Sequence, residues 1–466
     1  MRRFAPALVL ALLFARPVAA EVKLPALFSS GVVLQRDVEV PVWGTAAADA
    51  EVTVALDGAK QTVKVDAAGK WKVKLPAHTA GGPHTLAVAE AGGKPVEVTD
   101  VQFGEVWIAS GQSNMHWTFS HNILNKEKEL DAANDPLLRQ FTVKKGQAKE
   151  PMSDTAGKWL GASKENLLVD GPNGCSAVGY FFARKLREEL KVPVGIINSS
   201  VGGTPIQQWS PGGGLFNNMI HPLAPFAIRG AIWYQGESNV TLGHGYVDLT
   251  KTQVTAWREL WGQGEFPYYF VQIAPFTYAS KPNSKVPAHT LPLFWEAQTA
   301  IRKAVPNTAM VVITDLVDNV NDIHPANKQD VGARLANTAL ARDYGKSDLA
   351  HASPLFASAQ RTGDTIRCKL SNVGSGLVSR DGKPLTFFTI AGSDHQFHPA
   401  EATIDGEEVV VRSDAVKEPV AVRFAWDEKA MPNLATKEGL PANAFRTDEW
   451  KLEATAVPAA TPGEKK

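Results

Sequence analysis

Val106-Trp107-Ile108-Ala109, then Gly111-Gln112-Ser113-Asn114-Met115: a short apolar run breaks at Gly111 into a polar turn. An apolar run bounded by a turn signal predicts a buried strand. The same unit recurs down the chain. Val194-Gly195-Ile196-Ile197 runs into Asn198-Ser199-Ser200-Val201-Gly202-Gly203-Thr204, and Ile228 to Tyr234 runs into Gln235-Gly236-Glu237-Ser238-Asn239. Tyr268 to Ile273 is a fourth strand, and Met310 to Ile313 a fifth, with Asn321-Asp322-Ile323-His324-Pro325 after it. Apolar residues at helical spacing predict helices over Ala177–Leu190, Val247–Leu260, Phe294–Lys303 and Pro325–Arg342. Strands alternating with helices give an α/β fold, a parallel sheet with helices on both faces. In such a sheet the site lies beyond the carboxyl ends of the strands, where all four polar clusters fall.

Outward from this centre the pattern changes. Val52, Val54 and Leu56 alternate with polar or small residues, Asp57-Gly58 turns the chain, and Val63, Val65, Trp71, Val73 and Leu75 alternate again. Period-two alternation with Asp-Gly turns predicts a β-sandwich-like module over 21–100. Residues 351–457 read the same way, with turns at Asp381-Gly382 and Asp405-Gly406 and strand-like runs at Val409-Val410-Val411 and Val420-Ala421-Val422. The α/β unit then occupies 101–350, and a Pro/Ala/Lys-rich tail over 458–466 is expected to be disordered. Residues 1–20 have the grammar of a cleaved signal peptide: Arg2 and Arg3, an apolar run from Ala5 to Ala15, and Val18-Ala19-Ala20 before the cut. The expected product is secreted or periplasmic, with no membrane span.

The chain has 48 basic and 48 acidic residues, and the first twenty remove three arginines and no acid. A near-neutral chain offers no electrostatic case for nucleic acid. Twelve tryptophans suit sugar stacking, and Trp117 and Trp209, in loops, are the candidates. Cys175 and Cys368 are read as buried free thiols, although an exported chain can pair them. His395 and His398 stand three apart in a segment that reads as β or loop, where that spacing does not converge on a metal; no metal is expected.

The four clusters hold the parts for acyl transfer. A serine hydroxyl needs a neighbouring base. Ser113 sits at a strand-to-helix turn whose backbone N–H groups can receive an oxyanion. His324, expected to open a helix, can present its imidazole to Ser113, and Asp322 is the nearest carboxylate to orient it. Gly203 lets a backbone N–H approach the oxyanion, with Gly202 a rival, and Gln235 or Asn239 can add a side-chain donor. Gln112 is grouped with the substrate-binding residues, and so is Glu237, which is read chiefly as a buried carboxylate tying the strand-end loops together.

Gly111-Gln112-Ser113-Asn114-Met115, Trp233-Tyr234-Gln235-Gly236-Glu237-Ser238-Asn239 and Asp322-Ile323-His324-Pro325 resemble the sialate O-acetylesterase family of the SGNH-hydrolase superfamily. So do Val32-Val33-Leu34-Gln35-Arg36, Glu438-Gly439-Leu440-Pro441-Ala442 and Phe445-Arg446-Thr447-Asp448. These blocks lie in order along nearly all of the chain after residue 20. The resemblance implies a flavodoxin-like catalytic domain with β modules and no cofactor or metal. It implies a serine esterase acting on O-acetylated carbohydrate, sialic acid or plant polysaccharide such as xylan or xyloglucan. It implies Ser113 as nucleophile and His324 as base, with Gly203 and Asn239 as oxyanion donors. Two positions depart from the pattern. Asn321 stands where many superfamily members carry the acid, so Asp318, Asp315 or a backbone carbonyl are alternatives to Asp322. His116 stands where many relatives have an acidic residue. A non-catalytic glycan-binding protein and a lipase-like esterase are the competing readings; an intact serine and histidine oppose the first, and the lack of long apolar lid segments the second.

Overall fold

The structure, a computed structural model, describes residues 21–452; the expected signal segment and the tail 458–466 lie outside the described residues. The central sheet has the strand order Thr308–Val311, Tyr268–Val271, Gly230–Tyr234, Val96–Gly111, Val194–Ser200, Asn134–Thr142, Trp159–Ser163. All neighbours are parallel except the last pair. Counting Val96–Gly111 as first, the five strands predicted from sequence stand 2-1-3-4-5, the flavodoxin-like order. The connections diverge on either side of the first strand, so a crevice opens at its carboxyl end. The sheet's core is built on apolar residues, with Val106, Trp107, Ile108, Ala109, Ile196 and Ile232 all buried.

Two strands of this sheet were not predicted. Asn134–Thr142 begins with Asn-Asp-Pro and is buried only in its second half, so its apolar run is too short to stand out. Trp159–Ser163 is the antiparallel edge. The predicted helices are present as Ala177–Leu190, Gly245–Trp261, Thr290–Ala304 and Lys328–Asp343. The last corrects one expectation. His324 does not open the helix, which starts four residues later; Asn327 caps it, accepting the Asp330 N–H at 3.0 Å. His324 therefore stands in a free turn rather than on a helix.

Towards the N-terminus, Glu51–Leu56 pairs with Ala59–Lys64 through the Asp57-Gly58 turn and with Gly81–Glu90. Gly81–Glu90 pairs in turn with the first half of Val96–Gly111, whose second half is the centre of the parallel sheet. The boundary expected at residue 100 thus falls inside one continuous strand of 16 residues. Glu105, fully buried on that strand, accepts from Arg36 at 2.6 Å, Tyr344 at 2.7 Å, Arg229 at 3.1 Å and Gln35 at 3.1 Å.

Towards the C-terminus lie two four-stranded sheets. Both are antiparallel, and one contains Leu355–Thr362, Thr365–Ser371, Glu408–Arg412 and Glu401–Asp405. The other contains Phe397–Pro399, Phe388–Ala391, Ala421–Phe424 and Phe445–Arg446. Cys175 and Cys368 are both buried and unpaired. His395 lies flat on Trp450, with ring centroids 3.7 Å apart. Among the described residues no helix is long and apolar enough to cross a membrane.

Candidate active site

Gly111 ends the first strand at φ 138°, and a Cβ there would stand 2.1 Å from the Tyr234 carbonyl oxygen. Only glycine allows the chain through, and it turns directly into the one-turn helix Ser113–His116. Ser113 is the first helical residue, so its N–H has no intrahelical acceptor. Across the crevice, His324 brings Nε2 to 2.9 Å from Ser113 Oγ, although the two are 211 residues apart. An imidazole at that distance can take the hydroxyl proton.

The imidazole is held by stacking. Trp117 lies parallel to it at 4.0 Å, and His121 also stacks on Trp117 at 4.2 Å. The Trp117 indole also donates to the Asn122 carbonyl at 2.9 Å. This corrects the sugar-stacking expectation: Trp117 stacks on two imidazoles. Trp209 is fully buried, packed edge-on against Trp233, with its indole N–H on Thr204 Oγ1 at 3.0 Å.

Asp322 is the carboxylate nearest the base. Its Oδ1 accepts the backbone N–H of His324 at 2.9 Å and lies 3.8 Å from His324 Nδ1, beyond hydrogen-bond reach. Asp315 is paired with Arg334 at 2.6 Å and with Arg380, and Asp318 is exposed. Asn321 accepts from Thr277 Oγ1 at 3.1 Å, so the position where relatives carry an acid here ties down the loop. Burial pushes His324 down to about 4, reinforced by Lys328 and His121 and opposed by Asp322.

Behind the pair is a buried polar chain that the sequence reading only partly contained. Lys328, fully buried, donates to Asn114 Oδ1 at 2.6 Å; the Asn114 amide donates to Glu237 Oε1 at 2.7 Å and to the Ile323 carbonyl at 3.0 Å. Burial pushes Lys328 down to about 7 and raises Glu237. Glu237 thus ties strand-end loops together. Lys328 was missed, although a lysine in the first turn of a helix opposes the helix dipole and is a signal that something else holds it.

On the other flank, a Cβ on Gly202 would stand 3.5 Å from Ser113 Cβ. Gly203 has φ 72°, and a Cβ there would meet no protein atom within 4 Å; the backbone angle, not crowding by the protein, demands glycine. Among the described residues the N–H groups of Gly202 and Gly203 donate to no protein acceptor. Asn239 is buried, accepting from Ile206 N at 2.9 Å and donating to Gln207 Oε1 at 3.0 Å. Gln235 does not offer a free donor: its buried amide faces Asn239 Oδ1 at 2.7 Å, Gln112 Oε1 at 3.1 Å and the Thr204 carbonyl at 3.2 Å. Gln112 is likewise buried, accepting the Ser238 N–H at 3.1 Å. Gln235 holds the loops through its amide, and Gln112 holds them through its Oε1.

His116 receives a hydrogen bond from Lys145, which also donates to Asn173 Oδ1 at 2.8 Å. Burial first, then Lys145 and His121, push His116 down to about 4. A cavity of about 610 Å³ lies beyond Lys145 and Asn173, lined also by Thr142, Asp170 and Tyr180, but neither Ser113 nor His324 reaches it. The chemistry is located by the Ser113–His324 contact and not by cavity size.

A 2-1-3-4-5 sheet with a seryl hydroxyl and an imidazole in contact at its switch point defines an α/β enzyme of the SGNH-hydrolase type. Residues 103–341 match the model of a carbohydrate esterase family described as sialic acid-specific acetylesterase. The chain is 30% identical to the human sialate O-acetylesterase, over 90% of this chain and 92% of that one, and 29% identical to the Pongo abelii sialate O-acetylesterase, with the same coverage. The crystal structure of a carbohydrate acetylesterase from Xanthomonas citri superposes with a TM-score of 0.86 at 41% identity, covering 92% of this chain and all of that one. The chain belongs to the sialic acid-specific acetylesterase family of carbohydrate esterases, and it is a carboxylic ester hydrolase acting on acetylated carbohydrate.

Proposed function

We propose that this chain is an exported serine esterase that removes O-acetyl groups from carbohydrate through an acetyl-enzyme. The observation that carries the reading is the 2.9 Å contact between Ser113 Oγ and His324 Nε2 at the switch point. His324 takes the hydroxyl proton as Ser113 Oγ bonds to the acetyl carbonyl carbon. The carbonyl oxygen gains the electron pair and is met by N–H groups of Ser113 and of Gly202 or Gly203, with Asn239 at the edge of that loop. The C–O bond to the sugar breaks, and the imidazolium returns its proton to the sugar oxygen. Water, deprotonated by the same imidazole, then releases acetate and restores Ser113. Asp322, at 3.8 Å, acts on His324 through charge and through the backbone it caps.

The test is acetate release by Ser113→Ala. Loss of the nucleophile lowers the rate on the order of a thousandfold or more in a folded protein. Retention of a tenth of the wild-type rate removes Ser113 from the mechanism. Acetate release from acetylated sialoglycan, xylan and xyloglucan, assayed side by side, ranks the sugars. Export is read from Arg2, Arg3 and the apolar segment that follows. A mature N-terminus at Glu21 in the periplasm or medium supports it, and an intact Met1 in the cytoplasm overturns it.

A further inference from the structure

We propose that Lys328 is a positioning residue for the Ser113–His324 pair: through Asn114 its ammonium fixes the nucleophile helix against the base loop, and its charge faces the imidazole. The inference rests on the reading of Ser113 as nucleophile and His324 as base.

The argument begins with cost. Lys328 opens a helix, where the dipole repels a cation, and it is fully buried, where an ammonium loses its hydration. No carboxylate lies within ion-pair distance of it among the described residues. Its one hydrogen-bond acceptor there is Asn114 Oδ1, at 2.6 Å. The Tyr234 and Trp117 rings lie 5.7 and 5.8 Å from its nitrogen and add cation–π attraction. A residue held at such disadvantage for stability alone is poorly explained, because an apolar side chain of the same length fills the space without it.

What the ammonium does is orient an amide. It has three donors and no acceptor, so Asn114 must turn its oxygen towards Lys328 and its nitrogen away. The nitrogen then meets Glu237 Oε1 at 2.7 Å and the Ile323 carbonyl at 3.0 Å. Asn114 directly follows Ser113, and Ile323 directly precedes His324. One part-buried hydrogen bond thus spans the two reacting residues from behind, and Lys328 reinforces its direction from the oxygen side of the amide. Without the ammonium the amide oxygen loses its one donor among the described residues, and the orientation rests on Glu237 and the Ile323 carbonyl alone.

The second effect is charge. The titratable groups facing His324 are Lys328 from the helix, Asp322 from its own loop, and His121 across Trp117. Lys328 and His121 disfavour the imidazolium, and Asp322 favours it. Lys328 itself is pushed down to about 7 by burial, so it carries its charge throughout the acid range in which His324 titrates.

The experiment is the pH profile of kcat/KM on an aryl acetate for the full chain, with Lys328→Met, Lys328→Arg and Asn114→Leu beside Ser113→Ala and His324→Ala. Lys328→Met is expected to lower kcat about tenfold or more with KM within about threefold, and to move the acid limb up by about half a pH unit. Lys328→Arg keeps the charge, so its acid limb stays in place while kcat falls. Asn114→Leu lowers kcat and leaves the limb in place. If Lys328→Met accumulates poorly, Lys328→Gln carries the same comparison. A folded, charge-neutral variant with the wild-type limb and kcat overturns the proposal. If Ser113→Ala and His324→Ala are inactive in that case, only this inference falls; if either retains activity, the serine mechanism falls and this inference with it.

Discussion

At the scale of single residues, the base sets the pH behaviour. His324 is pushed to about 4, by burial first and then by Lys328 and His121. A base must be unprotonated to act, so kcat/KM should hold from neutrality down towards pH 5 and reach half near pH 4, as a pH–rate profile will show. Asp322→Asn removes the one neighbour that raises this value, so the limb should move lower still. Because Asp322 makes no hydrogen bond to the ring, the loss in kcat should be about tenfold, far short of that for an acid bonded to its histidine. Asp318→Asn should stay within about twofold of wild type, because its side chain is exposed. Loss of activity in Asp318→Asn with a near-normal Asp322→Asn would reverse the assignment. Ser113 was legible in the sequence because its polar cluster directly follows a strand, and His324 because it sits in the polar cluster between the fifth strand and the last helix. The surroundings were not. That Trp117 faces imidazoles rather than sugar, and that Gln235 uses its amide on protein, depends on chain segments far apart in number.

At the scale of elements, alternation of apolar strands with amphipathic helices was enough to give the five parallel strands and the helices between them. It failed at Asn134–Thr142, where burial of half a strand leaves only a short apolar run, and at the start of the last helix, where Pro325 looked like a first-turn proline. The long strand Val96–Gly111 is anchored by Glu105. Burial opposes its ionisation most strongly, yet Arg229, Tyr344 and Arg36 hold its carboxyl below the ordinary range. Glu105→Gln removes the buried carboxylate from Arg229 and Arg36, both partly exposed, and leaves Arg36 with Asp37. It should cost about 2 kcal/mol of stability, measured by denaturant unfolding. An unchanged midpoint would show that the ion pairs contribute nothing net.

At the scale of the whole molecule, the C-terminal β region reaches the base loop through an intermediary. Glu428, buried, accepts from Ala279 N at 2.6 Å and from Ser280 N at 2.8 Å. Thr277 in the same segment donates its N–H to the Val320 carbonyl at 3.0 Å and its hydroxyl to Asn321. Glu428→Ala should therefore loosen residues 276–280, lower kcat about tenfold with little change in KM, and speed proteolysis there. Wild-type kinetics in that variant would show that the two regions act independently. The sequence marked this region as β but carried no sign of its reach, because a carboxylate bonding to a loop some 150 residues away has no periodicity to read. The same continuity governs the other end of the chain. Since one strand runs without a break from the first sheet into the second, the gene offers recombination no seam at that point: a crossover between codons 100 and 101 splits a single strand between two parents, and each half inherits a partner edge it did not evolve beside. Chimeras that keep residues 96–111 from one parent should accumulate as soluble protein, whereas those joined at codon 100 should not.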